Sequence, residues 1–400
     1  MIDRLVFAAL LVTASSAVGL DLADVDRYGG VKAIESEATG WFRVEKINGR
    51  WLFITPEGHG YLALGANHVG KYLDQQAEAM GLLARARGSR EEAASYLLKA
   101  MADLGLNAGE AYAPIAPEIM KTRPWVANID FPGRSKFAFD VFDQTTLEEI
   151  HDSFVEQCQD FQDNRFVLGV ACADLPVWDQ RRIEFYEKLP ESAPGKRELM
   201  RFREEGKSDD EFLGHVAAKL YPALRKAVKE GAPNHLFFGE RFRLRGAPDE
   251  VIAAVGRHVD VFPTQALILS PQRPPEWQLF QAEGYDHEAS LIGDKPMVVI
   301  DWAAPFSLSE TFDTERGQIR DEITAAKEAA DWIIASMERP YMIGVFKCQL
   351  IGLHGNDRWF GDRARRTYLQ DDGRPFPLRT RITREAHEKA LMAGYSMAVK

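Results

Sequence analysis

Two aspartates, each following a short apolar run, are the residues of this sequence that most strongly suggest catalysis. Asp174 follows the run Phe166–Cys172 and Asp301 follows the run Met297–Ile300. Two opposed carboxylates are the groups that carry out glycoside hydrolysis: one protonates the leaving oxygen, and the other attacks the sugar or activates water. A single aspartate at a strand end more often caps the next segment or pairs with an arginine. The catalytic interpretation therefore requires that both aspartates lie in one site.

Polar and aromatic residues follow the other apolar runs, and their types suit a sugar. Amides and carboxylates form hydrogen bonds with hydroxyl groups, and indole rings stack on the apolar face of a pyranose. The predicted substrate-binding residues are Asn67, His68, Glu110, Tyr112, Trp178, Glu240, Arg241, Gln265, Trp302 and Gln349.

Several of these residues also have a purely structural interpretation. Glu240 could pair with a neighbouring arginine, and Trp302 could be a packing residue, although we expect it to present a ring face to the site together with at least one other aromatic residue. His68 has no second histidine at ligand spacing, so we expect no metal ion. No glycine-rich nucleotide-binding motif follows the first strand, and we expect no cofactor.

The elements that must position these side chains alternate between apolar strands and helical segments. From residue 61 on there are eight strand candidates: Tyr61–Gly65, Leu106–Tyr112, Trp125–Ile129, Phe166–Cys172, His235–Gly239, Val259–Phe262, Met297–Ile300 and Met342–Phe346. Short, continuous apolar strands separated by helices indicate a parallel sheet covered by helices. Eight such units predict an α/β fold, a single (β/α)8 TIM barrel over residues 61–400. Asp174 then follows the fourth strand and Asp301 the seventh, at the carboxyl face where barrel enzymes carry their active sites.

The first 60 residues predict a leader and an extension to the barrel. Leu5–Leu20 is uncharged, follows Arg4 and ends among small residues, so residues 1–20 predict a signal peptide and a secreted or periplasmic location. A short helix packed on the domain is the alternative. Residues 21–60 predict an amino-terminal extension with a β-hairpin, because apolar and polar residues alternate on both sides of Asn48-Gly49.

Composition excludes several classes of protein. The chain has 400 residues, 46% of them hydrophobic and 27% charged, which is typical of a globular protein. A net charge of −11 argues against nucleic acid as a partner, and beyond the leader we expect no membrane contact. The three cysteines are too few and too scattered for a disulfide framework or a structural zinc site. The oligomeric state stays open.

Several stretches resemble a known family. Ala38–Gly70, together with the motif DRYGG at Asp26–Gly30, resembles the opening of the agarase-like glycoside hydrolases, which are clan A (β/α)8 barrels related to the exo-β-agarases. Looser similarity extends through Asn164–Trp178, Pro233–Phe242, His258–Gln265 and Lys295–Phe306.

The resemblance implies specific roles for the two aspartates. It places Asp174 at the position of the acid/base and Asp301 at that of the nucleophile, although the family has glutamate at both. Asn67 and His68 match the family's first-strand pair, and Ala173 stands where the family has asparagine. The implied function is hydrolysis of a polysaccharide or oligosaccharide, of the galactose-containing, agarase-like type.

Replacing both glutamates by aspartate leaves more than one outcome open. Because aspartate is one methylene shorter, the separation could grow from about 5–5.5 Å, typical of retaining enzymes, toward the inverting range of about 6.5–9.5 Å. A catalytically inactive carbohydrate-binding barrel is one alternative function. A metal-dependent barrel hydrolase using His68, Glu110, Asp174 and Asp301 is another.

Overall fold

The structure, a computed structural model, has an amino-terminal antiparallel sheet followed by a larger α/β unit. It describes residues 20–73, 88–110, 117–133, 137–266, 282–304, 306–307, 312–314, 317–319, 321–351, 364–365, 367–370 and 372–399. The predicted leader therefore lies almost entirely outside the described residues. Within them, no helix has the length and apolar character needed to cross a membrane.

Four antiparallel strands precede the α/β unit. They are β1 (Val31–Glu35), β2 (Arg43–Ile47), β3 (Arg50–Ile54) and β4 (His59–Tyr61), in the order β1-β4-β3-β2. Strands β2 and β3 form the hairpin predicted from Asn48-Gly49, and both turn residues have positive φ, 49° and 84°. The extension is thus a complete small sheet rather than a hairpin alone.

A curled parallel sheet of seven strands forms the centre of the α/β unit. In chain order the remaining strands are β5 (Ala63–Ala66), β6 (Trp125–Ile129), β7 (Val167–Asp174), β8 (Leu236–Arg243), β9 (Phe262–Gln265), β10 (Met297–Trp302), β11 (Phe306–Ser307), β12 (Phe312–Thr314), β13 (Gly317–Ile319), β14 (Met342–Lys347) and β15 (Ala364–Arg365). The parallel sheet has the order β5-β14-β10-β9-β8-β7-β6. The four very short strands form two separate antiparallel pairs, β11 with β15 and β12 with β13.

Helices connect these strands and cover the sheet. They are α1 (Arg90–Asp103), α2 (Pro117–Met120), α3 (Gln144–Cys158), α4 (Gln180–Glu187), α5 (Pro194–Glu204), α6 (Asp209–Gly231), α7 (Asp249–Gly256), α8 (Ala282–Leu291), α9 (Glu322–Met337) and α10 (Pro377–Ala398). The longest, α6, begins with a capping box in which Ser208 and Glu211 satisfy each other's backbone N–H groups. The strands of the parallel sheet are buried almost without interruption, as expected for a sheet covered by helices.

The second predicted strand is only partly represented. Its described residues link the two edges of the parallel sheet: the N–H groups of Asn107 and Ala108 donate to the carbonyl of Leu64 at 3.0 and 2.9 Å. On the other side, Gly109 N–H donates to the carbonyl of Pro124 at 2.6 Å, and Val126 N–H donates to the carbonyl of Glu110 at 3.0 Å. In the described part of the chain, the parallel sheet therefore contains seven assigned strands where eight were predicted.

The amino-terminal sheet covers the end of the parallel sheet where its strands begin. Trp51 N–H donates to the carbonyl of Pro340, just before β14, at 2.8 Å. Arg50 donates to the carbonyls of Arg339 and Met342. The buried ring of Phe53 lies 6.3 Å from that of Phe238 in β8. The opposite end, where the strands finish, carries the candidate functional side chains.

Candidate active site

The candidate catalytic residues lie at the carboxyl ends of four neighbouring strands. Asp174 is the last residue of β7 and is paired in register with Arg241 of β8. Asp301 of β10 is paired with Gln265, the last residue of β9. Because parallel strands finish at the same edge of the sheet, all four side chains originate from one region, although 127 positions separate the two aspartates in the sequence (301 − 174).

One guanidinium group joins the two aspartates. Arg241 Nη1 donates to Asp301 Oδ2 at 2.8 Å, and Arg241 Nη2 donates to Asp174 Oδ1. Gln265 Nε2 donates to the same Asp301 Oδ2 at 3.0 Å. We call Asp174, Arg241 and Asp301 the arginine-bridged pair. The structure thus brings together the two residues that the sequence analysis singled out.

The three side chains differ greatly in exposure. Those of Arg241 and Asp301 are 5% and 10% exposed, whereas that of Asp174 is 47% exposed. Asp301 uses Oδ2 for both of its hydrogen bonds, and its buried Oδ1 has no hydrogen-bond partner among the described residues. Gln265 Oε1 is likewise buried without a partner among the described residues, so this site holds two buried acceptor oxygens that lack a donor, which is costly.

The backbone on both sides of Asp174 departs from strand geometry. Ala173 and Leu175 have φ values of 50° and 52°, in the left-handed region that residues with a Cβ seldom adopt. The register with β8 shifts at the same place, between Cys172 and Asp174. Such conformations cost energy and cluster at functional sites. The direction of the Asp174 side chain is therefore set by a specific local distortion of the strand end.

One of the residues predicted to bind substrate contacts the strand that carries Asp301. Asn67 Nδ2 donates to the carbonyl of Ile300, the residue before Asp301, at 2.7 Å. Buried Glu110 accepts a hydrogen bond from Gly70 N–H at 2.8 Å through Oε2. His68 is partly buried with a φ of 63°, and Gln349 is buried just after β14. Asn67 thus acts on the backbone beside Asp301.

Glu240 and Trp178 contact each other, and their role in substrate binding stays a prediction. Both are buried, and Glu240 Oε2 accepts hydrogen bonds from Trp178 Nε1 at 3.0 Å and from the hydroxyl of Tyr221 in α6 at 2.8 Å. Arg182 covers the Trp178 ring at 3.9 Å. The alternation of side chains along a strand explains the direction of Glu240: because Arg241 points to the site, its neighbour Glu240 points toward the helices.

Trp302 does not present the open ring face that the sequence analysis predicted. It is 3% exposed and stacks on Trp332, with ring centroids 4.9 Å apart. The Nζ of Lys347 lies 4.6 Å from the centre of its ring. Alternation again explains the placement, since Trp302 follows Asp301 in β10. Tyr112, the third aromatic residue predicted to bind substrate, lies outside the described residues.

Lys347 is a site residue that the sequence analysis passed over. It ends β14, is fully buried, and places a cation beside Trp302, the residue next to Asp301. The sequence feature that could have identified it is a lysine at the end of the apolar strand β14. A lysine buried at a strand end needs polar or charged partners nearby, and such partners are common in functional sites.

The described residues do not support a metal site at the strand ends. Only Asp26, Glu57 and His59, in the amino-terminal sheet, place three ligand atoms close enough to share an ion within this part of the chain. Asp26 is already satisfied there, since Oδ1 accepts from the N–H groups of Tyr28 and Gly30 and Oδ2 contacts Thr55 and His59. The metal-dependent alternative built on His68, Glu110, Asp174 and Asp301 therefore has no support in this geometry.

Comparison with known proteins places the fold beside agarases. No family model and no curated protein matches the sequence. Among solved structures, the agarase AgWH50C superposes over 93% of this chain and 66% of its own, with a TM-score of 0.75 and 17% identity. An exo-beta-agarase superposes over 94% of this chain and 69% of its own, with a TM-score of 0.76 and 15% identity.

A more distant likeness extends to another class of glycosidase. A GH2 beta-galacturonidase from Eisenbergiella tayi, bound to galacturonate, covers 87% of this chain and 54% of its own, with a TM-score of 0.53 and 12% identity. The chain thus spans about two thirds of the agarases and about half of this galacturonidase. At these identities the similarity is one of fold, and that fold agrees with the family resemblance in the sequence.

Proposed function

We propose that this protein is a glycoside hydrolase in which Asp174 and Asp301 are the two reacting carboxylates. The observation that carries the proposal is the arginine-bridged pair: two carboxylates from the ends of β7 and β10 meet on one guanidinium group. The fold supports it, because the solved structures that resemble this chain are glycosidases. Their names describe those proteins, and the activity is our proposal for this one.

The two aspartates have different proposed roles. Asp301, buried and held by Arg241 and Gln265, is the carboxylate that attacks the sugar or activates water through Oδ1, which has no hydrogen-bond partner among the described residues. Asp174, half exposed, is the proton donor to the leaving oxygen. A contact with arginine favours the ionised form of a carboxylate, so Asp174 has to leave Arg241 before it can hold a proton. The separation of the carboxylates in the substrate complex then determines whether configuration is retained or inverted.

The proposed substrate is a polysaccharide or oligosaccharide of the galactose-containing, agarase-like type. The names of two of the similar structures, an agarase and an exo-beta-agarase, support this choice. The proposed contacts are Asn67, His68, Glu110, Tyr112, Gln265 and Gln349. We further propose that residues 1–20 direct secretion and are removed, which the mass of the protein secreted from a bacterial host would test.

We also propose that the parallel sheet closes into a (β/α)8 barrel. Residues 107–110 supply the connection, because they form hydrogen bonds with Leu64 in β5 on one side and with Pro124 and Val126 at β6 on the other. A segment bonded to both edges of a seven-stranded sheet has the position of an eighth strand. Closure would bring all predicted strand ends, including that of Glu110, to one mouth.

A reducing-sugar assay over a panel of polysaccharides tests the activity. Wild type should release sugar from at least one galactan, and Asp174→Asn and Asp301→Asn should each lower kcat/KM by at least about 100-fold. Asp130→Asn is the matched control, because Asp130 also lies at a strand end, after β6, and is exposed. Full activity in either of the first two variants would remove that aspartate from the mechanism.

The arginine between the carboxylates also favours a second candidate, a barrel that binds carbohydrate without cleaving it. In this structure Arg241 contacts both aspartates, so both candidate catalytic carboxylates are engaged by a side chain of the protein. Sugar binding by wild type without release of reducing ends from any member of the panel would support this candidate. Aryl glycosides with activated leaving groups, which need less acid assistance, make the distinction sharper.

A further inference from the structure

Arg241 has an unusual place for a strand-end arginine, because it fills the space between the two proposed catalytic carboxylates. Its side chain is 5% exposed, and it is paired in register with Asp174 on one side while reaching past Gln265 of β9 to Asp301 on the other. A buried guanidinium group offers several N–H donors in one plane, an arrangement that matches an oxyanion. In this structure two carboxylates of the protein occupy those donors.

The two carboxylates are not held equally. Asp301 is nearly buried and receives a second hydrogen bond from Gln265 Nε2 at 3.0 Å. Asp174 is 47% exposed, and within the described residues its carboxylate contacts only Arg241. Exposed ion pairs contribute little to stability, whereas breaking a buried pair is strongly unfavourable. Asp174 is therefore the group that an incoming anion can replace.

We infer that Arg241 receives an acidic group of the substrate, a sugar carboxylate or sulfate, at the position that Asp174 occupies in this structure. The inference rests on the proposed glycosidase function and narrows its substrate to acidic sugars. The carboxylate of a uronic acid can accept the hydrogen bond from Arg241 Nη2 that Asp174 Oδ1 accepts in this structure, while Nη1 stays on Asp301. Asp301 keeps its own hydrogen bonds to Arg241 and Gln265 while this exchange takes place.

The exchange also explains how Asp174 becomes able to donate a proton. Once the sugar anion holds Arg241, Asp174 lies beside two negative groups and has lost its cationic partner, which favours its protonated form. The proton that it takes from solvent passes to the glycosidic oxygen as the bond between that oxygen and the anomeric carbon breaks, and that carbon forms its new bond with Asp301 Oδ1 or with the water that Asp301 activates. Binding of the sugar's acidic group to Arg241 and conversion of Asp174 into a proton donor then occur in the same step.

Binding of monosaccharides to the full-length protein, measured by titration calorimetry, tests the inference. Wild type should bind galacturonate or galactose 6-sulfate at least about tenfold more tightly than galactose, and the preferred anion identifies the acidic group. Arg241→Gln should remove the preference. Asp174→Ala should tighten binding of the anion by about tenfold relative to binding of galactose by the same variant, because an internal competitor has been removed.

Asp130→Ala is the matched control for loss of a carboxylate at this face, and it should change neither affinity. If Arg241→Gln does not fold, as its circular dichroism would show, Asp174→Ala still decides the matter. Equal affinity of wild type for galactose and both acidic sugars, or weaker anion binding in Asp174→Ala, overturns the inference. Hydrolysis of neutral galactans without an anion preference would overturn it while leaving the proposed function intact.

Discussion

At the scale of single residues, Leu175 shows how backbone conformation sets the direction of Asp174. Its φ of 52° is energetically costly for leucine and less costly for asparagine, and its side chain is partly exposed. Ala173, on the other side, has a φ of 50°. The family that this chain resembles has asparagine at the position of Ala173, a residue suited to the left-handed region.

Leu175→Asn tests whether this conformation costs stability. The substitution loses apolar contacts but relieves the left-handed strain, so it should destabilise the protein by about 1 kcal/mol less than the same change at a site without strain. Leu189→Asn is the matched control, because Leu189 is also partly buried and its φ is not positive. Urea denaturation measures the free energy of unfolding of both variants. Equal losses of stability in Leu175→Asn and Leu189→Asn would mean that the left-handed conformation of Leu175 carries no strain.

Glu288 is a buried acid that the proposed mechanism does not use. It lies in α8, is 1% exposed, and accepts a hydrogen bond from the N–H of Arg245 at 2.8 Å. Burial raises its pKa from an ordinary 4.5 to about 8. Between these values the folded protein keeps a proton that the unfolded chain has released, so stability falls as pH rises through this window.

Glu288→Gln should remove this loss, because glutamine stays neutral. We expect the variant to unfold at the same temperature as wild type near pH 4.5, and a few degrees higher near pH 9. Glu283→Gln, at an exposed position of the same helix, is the control and should follow wild type at both values. A constant difference between Glu288→Gln and wild type across this range would show that ionisation of Glu288 is not responsible.

At the scale of elements, Asn107 shows how a side chain can supply the backbone hydrogen bonds that a neighbouring strand would otherwise form. Asn107 Oδ1 accepts from the N–H of Leu64 at 2.8 Å, and its Nδ2 donates to the carbonyl of Leu62 at 2.9 Å. The hydroxyl of Tyr61 donates to the same Oδ1 at 3.2 Å. An amide side chain thus pairs with the start of β5 as a neighbouring strand would.

Asn107→Ala should therefore destabilise the protein by about 2 kcal/mol, since it removes the side-chain partner of the Leu64 N–H in β5 and of the Leu62 carbonyl just before it. Hydrogen exchange at Leu64 should accelerate in the variant, which reports on this edge of the sheet specifically. Asn234→Ala, at an exposed loop position, is the control for loss of an asparagine. Unchanged exchange at Leu64 would mean that Asn107 does not hold this edge.

At the scale of the whole molecule, Arg50 connects the amino-terminal sheet to the α/β unit. It is 1% exposed and donates to the carbonyls of Arg339 and Met342 at the start of β14. Burial lowers its pKa to about 10, which still leaves it charged at neutral pH. Trp51 and Lys46 add contacts to Asp294, just before β10. We expect the two sheets to unfold together.

Arg50→Ala should lower the free energy of unfolding by about 3 kcal/mol, because the buried carbonyl of Met342 and the part-buried carbonyl of Arg339 lose the guanidinium donor and a cavity remains. Calorimetry should show one transition, shifted as a whole, in both wild type and variant. Arg381→Ala, at an exposed position of α10, provides the matched control and should unfold like wild type. Separation into two transitions would instead mean that the sheets are independent domains.

Local patterns were sufficient for much of the architecture. The Asn48-Gly49 turn predicted the hairpin, because the positive φ that the turn requires depends on those two residues alone. Apolar runs predicted the alternation of strands and helices, because buried segments consist mainly of apolar residues. The ends of the strands were less certain: the sixth strand was predicted as Val259–Phe262 and is Phe262–Gln265, because residues 261–265 are all buried and burial alone does not mark where the strand begins or ends. The positions of Asp174 and Asp301 at strand ends followed from the same pattern.

Contacts between strands were decided only by the tertiary structure. Arg241 reaches both aspartates because β8 lies beside β7 and one strand away from β10 in the curled sheet, a relation that no spacing in the sequence encodes. Alternation along β8 and β10 likewise turned Glu240 and Trp302 away from the arginine-bridged pair. Strand positions follow from short-range pattern, whereas the facing of each side chain depends on register and on bulges between neighbouring strands.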